Sequence, residues 1–182
     1  MNLVKVKEQI KRVGLDGWAN DWDIENIYNT IASLKEGGVY LEIGVARGVS
    51  LSIANLAAKP SIKLVGIDII NWSDREENIK NIINEFGVTS QHIFIEGDSQ
   101  VEAKTWRHGK INALYIDGDH EYLGVLKDMV SWFPHLASGA TVMFDDFNDK
   151  TGVKKAVEEI LTWHSAFKNG RVDNEMYICE KI

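Results

Sequence analysis

The chain has 182 residues, 45% hydrophobic and 26% charged, with a formal net charge of −7 and a pI near 5.2. That size and balance suit one soluble domain with a substantial core, and the acidic surplus disfavours a nucleic-acid partner, which needs a basic face to displace counterions. No segment approaches 18 uninterrupted apolar residues, MNLVKVKEQIKRVG carries no apolar leader, and Cys179 is the only cysteine; the expectation is a cytoplasmic protein with no membrane partner, no disulfide and no cysteine-built metal site.

In chain order, residues 1–36 read as an N-terminal helical cap of one or two helices broken near Gly14–Gly17, and residues 37–182 as the core of the same single domain. Short apolar runs then alternate with longer amphipathic ones, the pattern of successive βα units. Strands are expected at Val39–Ile43, Lys63–Asp68, His92–Glu96, Ala113–Asp117 and Ala140–Asp145, with helices at about 48–58, 74–86, 99–107, 120–133 and 151–163. The strand cores VYLEI, LVGID, IFIE, ALYID and TVMFD are nearly continuous apolar runs, as for strands covered on both faces. Phe167–Val172 and Met176–Glu180 flank Asp173-Asn174 and predict a closing antiparallel hairpin. The sum is a doubly wound α/β fold with a mostly parallel seven-stranded sheet and helices on both faces.

The segment VYLEIGVARGVSLSIA carries the most chemistry. A strand ends in Glu42, a glycine-containing turn follows, and a helix begins near Gly48. Gly44 and Gly48 allow a ligand to approach the backbone where a Cβ would collide with it. Ser50, in the first helical turn, offers a hydroxyl and an N–H to an anion, assisted by the helix dipole. An ordinary βα turn is the plainer alternative. Dinucleotide sites prefer G-x-G-x-x-G, whereas residues 44–50 read G-x-x-x-G-x-S. Asp68, 26 residues after Glu42, ends the second strand with a carboxylate suited to both hydroxyls of an adenosyl ribose.

E-x-G-x-x-x-G-x-S followed by a strand-end acid resembles the S-adenosyl-L-methionine site of class I methyltransferases, which have a Rossmann-like fold. The resemblance runs in order over roughly residues 38–182. It implies that Glu42, Gly44, Gly48, Ser50, Asp68, Asp98 and Ser99 bind S-adenosyl-L-methionine, the last two at the adenine within Glu96-Gly97-Asp98-Ser99-Gln100.

Two further strands end in acids: Asp117 in YIDGDHEY, and the pair Asp145-Asp146 in MFDDF. If those strands are neighbours they lie about 4.8 Å apart, and their ends bring Asp117, Asp145 and Asp146 to one rim. Carboxylates so close repel, raising at least one pKa unless a cation neutralises them. Oxygen ligands favour a hard ion such as Mg²⁺, with Mn²⁺ or Ca²⁺ as alternatives. Helix capping is the competing explanation, with Asp119 and Asp149 as candidate caps and Asp146 as a third. His120, three residues beyond Asp117, is placed to take a proton from a substrate hydroxyl, or else to serve as a ligand or structural residue. His92, His108, His135 and His164 lack comparable company and read as surface or helix residues.

This arrangement resembles the metal-dependent O-methyltransferases, both the catechol type and the bacterial sugar and macrolide type. Asp117 and Asp145 match the catechol type's metal aspartates, and Asp146 stands where it has asparagine. The D-G-x-H pattern of residues 117–120 is similar to the sugar-modifying type. The resemblance implies in-line methyl transfer to a small hydroxylated acceptor (sugar, catechol or natural product), with His120 and Asp117 catalytic. Trp18, Trp22 and Trp72 are candidates to wall the pocket, although the N-terminal segment serves equally well as a homodimer surface. A non-catalytic adenosyl-binding module is the alternative. A dinucleotide-dependent oxidoreductase is disfavoured, since neither Tyr115 nor Tyr122 starts a Tyr-x-x-x-Lys pair.

Overall fold

The apolar runs become strands because almost every residue in them loses water on both sides. Val39–Ile43 is buried throughout, and Lys63–Asp68 throughout except for its first residue. A computed structural model describes residues 3–15, 18–163 and 166–182. Gly17 and His164 lie outside the described residues, as do parts of the expected N-terminal break.

The elements in order are α1 (Leu3–Arg12), α2 (Asp21–Ser33), β1 (Val39–Ile43), α3 (Val49–Ala57), β2 (Lys63–Asp68), α4 (Arg75–Asn84) and β3 (His92–Glu96). There follow α5 (Ser99–Glu102), β4 (Ile111–Ile116), α6 (Tyr122–Trp132), β5 (Leu136–Phe144), α7 (Thr151–Ile160), β6 (Phe167–Asp173) and β7 (Met176–Lys181). They build one seven-stranded sheet in the order β3-β2-β1-β4-β5-β7-β6. The first five strands are parallel, and β7 runs antiparallel to both β5 and β6.

Strand alternation divides the core into two layers. Tyr40, Leu64, Ala113, Tyr115 and Met143 face a cluster shared with α1 to α4, while Leu41, Ile43, Leu114, Ile116 and Phe144 face the one shared with α6 and α7. α2 is anchored by a capping box: Asn20 Oδ1 accepts from the Trp22 and Asp23 N–H groups at 2.9 and 3.0 Å, and Asp23 Oδ2 accepts from Asn20 N at 3.0 Å.

Four expectations need correction. β3 is an edge strand and only half covered, with Ile93 exposed. The helix expected over 99–107 is the four-residue α5 followed by a 3₁₀ turn at Ala103–Thr105. The hairpin turns at Asn174-Glu175, one residue later than Asp173-Asn174, because Asp173 still pairs with Met176 and Asn174 adopts the left-handed φ of 58°. His92 is neither a surface nor a helix residue: on β3 its side chain is 2% exposed, meeting Glu76, Ser90 and Asn55.

Gly44 is where the sheet closes most tightly. Its φ is +85°, and a Cβ there would sit 2.0 Å from the Asp117 carbonyl oxygen and 2.8 Å from Gly118 Cα. Both atoms are backbone and cannot rotate away. Gly44→Ala is therefore expected to destabilise the fold by about 2–4 kcal/mol, combining overpacking with left-handed strain. Chemical denaturation measures it, and a change below about 1 kcal/mol would contradict the packing described.

Candidate active site

The C-terminal ends of β1, β2 and β4 open onto a cavity of about 580 Å³, the edge at which parallel α/β sheets bind ligands. Its wall includes Gly44, Ser50, Asp68, Asp98, Ser99, Asp117 and His120, together with Trp18 and Trp72. The two tryptophans meet edge to face at 5.9 Å, and the Arg47 guanidinium lies 5.7 Å from the Trp18 ring centre. Trp18, from between α1 and α2, thus lines the cavity together with Trp72, from between β2 and α4. Trp22 does not join them; it is half exposed beside a second groove.

The loop after β1 is held from below by a carboxylate. Asp68 Oδ2 accepts from Val45 N at 3.0 Å and Ala46 N at 2.7 Å, and Oδ1 accepts from Ile70 N at 2.8 Å. Ala46 is thereby kept at a φ of +43°, a conformation that needs such support. Arg75, 1% exposed, donates through Nε to the Ala46 carbonyl at 2.7 Å and through Nη2 to the Ile70 carbonyl at 2.5 Å. Its guanidinium stands 3.7 Å from both Asp68 and the centre of the Phe94 ring. Sequence reasoning missed Arg75; nothing in REENIKNIIN marks its first residue as buried.

Two expected cofactor residues do not line the cavity. Glu42 is 0% exposed beneath the loop, accepting from Tyr40 Oη at 2.9 Å and Ser50 Oγ at 2.5 Å. The Ser50 hydroxyl is thus directed to Glu42. Gly48 faces α4, where a Cβ would lie 2.6 Å from Ile79 Cγ1; helix packing rather than ligand approach demands glycine. Asp98 accepts from Gln100 N at 2.8 Å and caps α5. The Ser99 hydroxyl donates to Asp128, a cavity-wall residue that the sequence reading passed over. Its signal was an acid on the buried face of α6, in phase with Val125, Met129 and Trp132.

Past β4 and β5 the acids separate. Asp117, His120 and Asp146 each offer a ligand atom within 4.8 Å of the others, the one such group among the described residues. His120 Nε2 lies 3.4 Å from Asp117 Oδ1 and 3.3 Å from Asp146 Oδ2. Asp145 stands outside this trio, contrary to the expected set. The pleat explains it: Asp145 continues the Tyr115 and Met143 face toward α2, whereas Asp146, at a φ of +55°, turns toward His120. Asp119 and Asp149 do not cap helices: the residues at those caps are Glu121 and Lys150, with Asp119 accepting from Glu121 N and Asp149 paired with Lys150.

Burial pushes Asp145 up to about 9, with the Asp117 charge adding to it. Burial likewise raises Asp117, while the hydrogen bond to Asp117 holds His120 above its ordinary value. Asp23, from α2, is raised to about 6 by burial, and the charges of Asp117, Glu175 and Asp146 act in the same direction. The trio's nitrogen and oxygen donors, with excess negative charge, fit a divalent cation.

Residues 41–147, over half of the chain, match a family profile described as a methyltransferase domain. An uncharacterized protein of Acanthamoeba polyphaga mimivirus is 33% identical over 132 residues; the match takes in 69% of this chain and 58% of the viral protein, so the chain spans under two thirds of that relative. Among solved structures, the O-methyltransferase TomG from Streptomyces achromogenes, in complex with S-adenosyl-L-methionine, superposes with a TM-score of 0.72 at 16% identity, covering 99% of this chain and 88% of TomG. A methyltransferase from Geobacter sulfurreducens gives 0.71 at 19% identity, covering 100% and 89%. The fold is therefore the Rossmann-like methyltransferase fold.

Burial also pushes Glu42 up, to about 8 from its ordinary 4.5. The native state then holds one more proton than the unfolded chain between those values. This contribution to stability is complete below about 4.5 and is lost as the pH climbs toward about 8. Glu42→Gln, neutral and of similar shape, is expected to flatten the decline. Denaturation of both proteins at a series of pH values tests this, and parallel curves would show that Glu42 is ionised in the native state.

Proposed function

Because this chain belongs to the methyltransferase domain family, we propose that it transfers the methyl group of S-adenosyl-L-methionine to a hydroxyl oxygen of a small-molecule acceptor. Bound S-adenosyl-L-methionine supplies an activated sulfonium methyl group, so the protein's task is alignment and deprotonation. The observation that carries the reading is His120, placed between Asp117 and Asp146 at the mouth of the cavity walled by Gly44, Asp68 and Ser99.

In this reading the amides of the residue 44–50 loop receive the cofactor's amino-acid end. Asp68 keeps that loop in shape and offers the one remaining lone pair, on Oδ1, to a ribose hydroxyl. Asp98, Ser99 and Asp128 form the far wall, at the adenine. His120 takes the proton from the acceptor hydroxyl, and the flanking carboxylates of Asp117 and Asp146 stabilise the imidazolium that results. Acceptors with a small hydroxylated scaffold agree with TomG, an O-methyltransferase involved in tomaymycin synthesis.

The close approach of Asp117, His120 and Asp146 favours a second reading. The same three side chains would hold a divalent cation, and the chemistry it would supply there is Lewis-acid polarisation of the acceptor hydroxyl. With an imidazole replacing the expected Asp145, the donor set suits Mn²⁺ at least as well as Mg²⁺.

Isothermal titration of S-adenosylhomocysteine, with Mg²⁺ and then with EDTA, tests the cofactor assignment. Micromolar binding in both conditions is expected, since the cation belongs to the acceptor side. Its absence from both would overturn the reading. His120→Ala is expected to leave that affinity unchanged and to lower turnover of an accepted hydroxyl substrate by about 10²–10⁴-fold, measured as S-adenosylhomocysteine release. Full activity would remove His120 from the chemistry, and wild-type activity abolished by EDTA would favour the cation-assisted form.

A further inference from the structure

Asp128 walls the cavity beside Ser99, and nothing so far gives it a task beyond filling that wall. It stands on α6 at 3% exposure, on the face that packs Val125, Met129 and Trp132 into the core, so its carboxylate has little room to move. Burial pushes its pKa up, and hydrogen bonds from the Ser99 and Gln100 side chains oppose the rise. A carboxylate at that depth depends on such donors.

The bond to Ser99 has a direction. A serine hydroxyl has one proton to give and two lone pairs to accept with. An ionised carboxylate only accepts, so the Ser99 Oγ proton goes to Asp128 Oδ1. Two neighbouring donors are spent as well: Gln100 N donates to Asp98 Oδ1 at 2.8 Å, and Gly97 N to the Asp68 carbonyl at 2.9 Å. What Ser99 Oγ keeps for the cavity is therefore lone pairs. Without Asp128 the same hydroxyl would be free to turn its proton toward a ligand. The carboxylate thus decides which polarity Ser99 shows, although Ser99, at 9% exposure, is the more accessible of the two.

We propose that Asp128 is a positioning residue for the cofactor's base: by taking the Ser99 hydroxyl proton it makes Ser99 Oγ an acceptor for the amino group at C6 of the purine. The inference rests on the methyltransferase reading above, which puts the adenine at this wall, and it names what the wall recognises there. A site built to hydrogen-bond an N–H rejects an analogue that lacks it, because its own polar atom is then left unpaired.

The test compares S-adenosylhomocysteine with its 6-deamino analogue, in which purine replaces adenine, by isothermal titration into the full chain. The wild type is expected to bind the amino form about tenfold or more tightly. Ser99→Ala, which removes the acceptor, and Asp128→Asn, which places an amide donor beside Ser99, should each lower that ratio at least about threefold. In the double variant the ratio should fall no further than in Ser99→Ala alone, since Asp128 acts through Ser99. A merely structural Asp128 would weaken both ligands alike and leave the ratio unchanged. Equal binding of the two ligands by the wild type, an unchanged ratio in either single variant, or a further fall in the double variant would each overturn the proposal. Ser99→Ala decides the matter if Asp128→Asn does not fold. Failure of the wild type to bind either ligand would instead strike the underlying methyltransferase reading.

Discussion

The site depends on the Asp68 carboxylate. It ends β2, yet its hydrogen bonds go to the loop after β1 and to its own following loop, so one side chain ties the two strand ends together. A carboxylate accepting three backbone amides satisfies donors that a tight turn leaves free, and it does so where Ala46 sits in a left-handed conformation. Arg75 closes the arrangement from α4, giving its own donors to carbonyls on both sides of Asp68. Neither residue would be stable at that burial alone. Together they hold the cavity floor in one shape before any ligand arrives, which is where preorganisation gains most.

Below that knot the sheet sets which acid goes where. Successive side chains of a strand leave on opposite faces, and the rule persists for a residue or two after the last ladder bond. Tyr115 and Met143 belong to the layer under α2, so Asp117 and Asp145 start out on that side. Tyr115 Oη lies 3.4 Å from Asp117 Oδ2, in keeping with this shared face. Asp146 escapes it through its positive φ and reaches His120 instead. A tandem pair of aspartates thus divides between a buried polar layer and the working rim.

These facts explain what could be read from the residues. Three strands, β1, β2 and β3, have the boundaries expected from their apolar runs, because burial on at least one face follows directly from composition. Asp68, Asp98, Ser99, Asp117 and His120 were legible as cavity residues since a parallel sheet delivers its strand ends to one edge. The partners of those residues were not legible. Glu42 looked like a ligand contact, but its neighbours Tyr40 and Ser50 turn it into a buried brace, and only the fold shows that Gly48 packs on Ile79. The division of Asp145 from Asp146 turns on one backbone dihedral, which two adjacent aspartates do not encode. Asn20 and Glu175, 155 positions apart, meet through a tertiary contact alone.

The rim's negative charge bears on how His120 works. Asp117 and Asp146 flank one imidazole nitrogen, so whatever sits between them is favoured in proportion to its positive charge. A proton on His120 satisfies that demand, and so does a divalent cation. The two compete, because protonation of the imidazole removes the lone pair a metal requires. In a cation-free site the carboxylates make His120 a stronger base and a weaker acid; with a cation seated, the base has to lie elsewhere or be solvent.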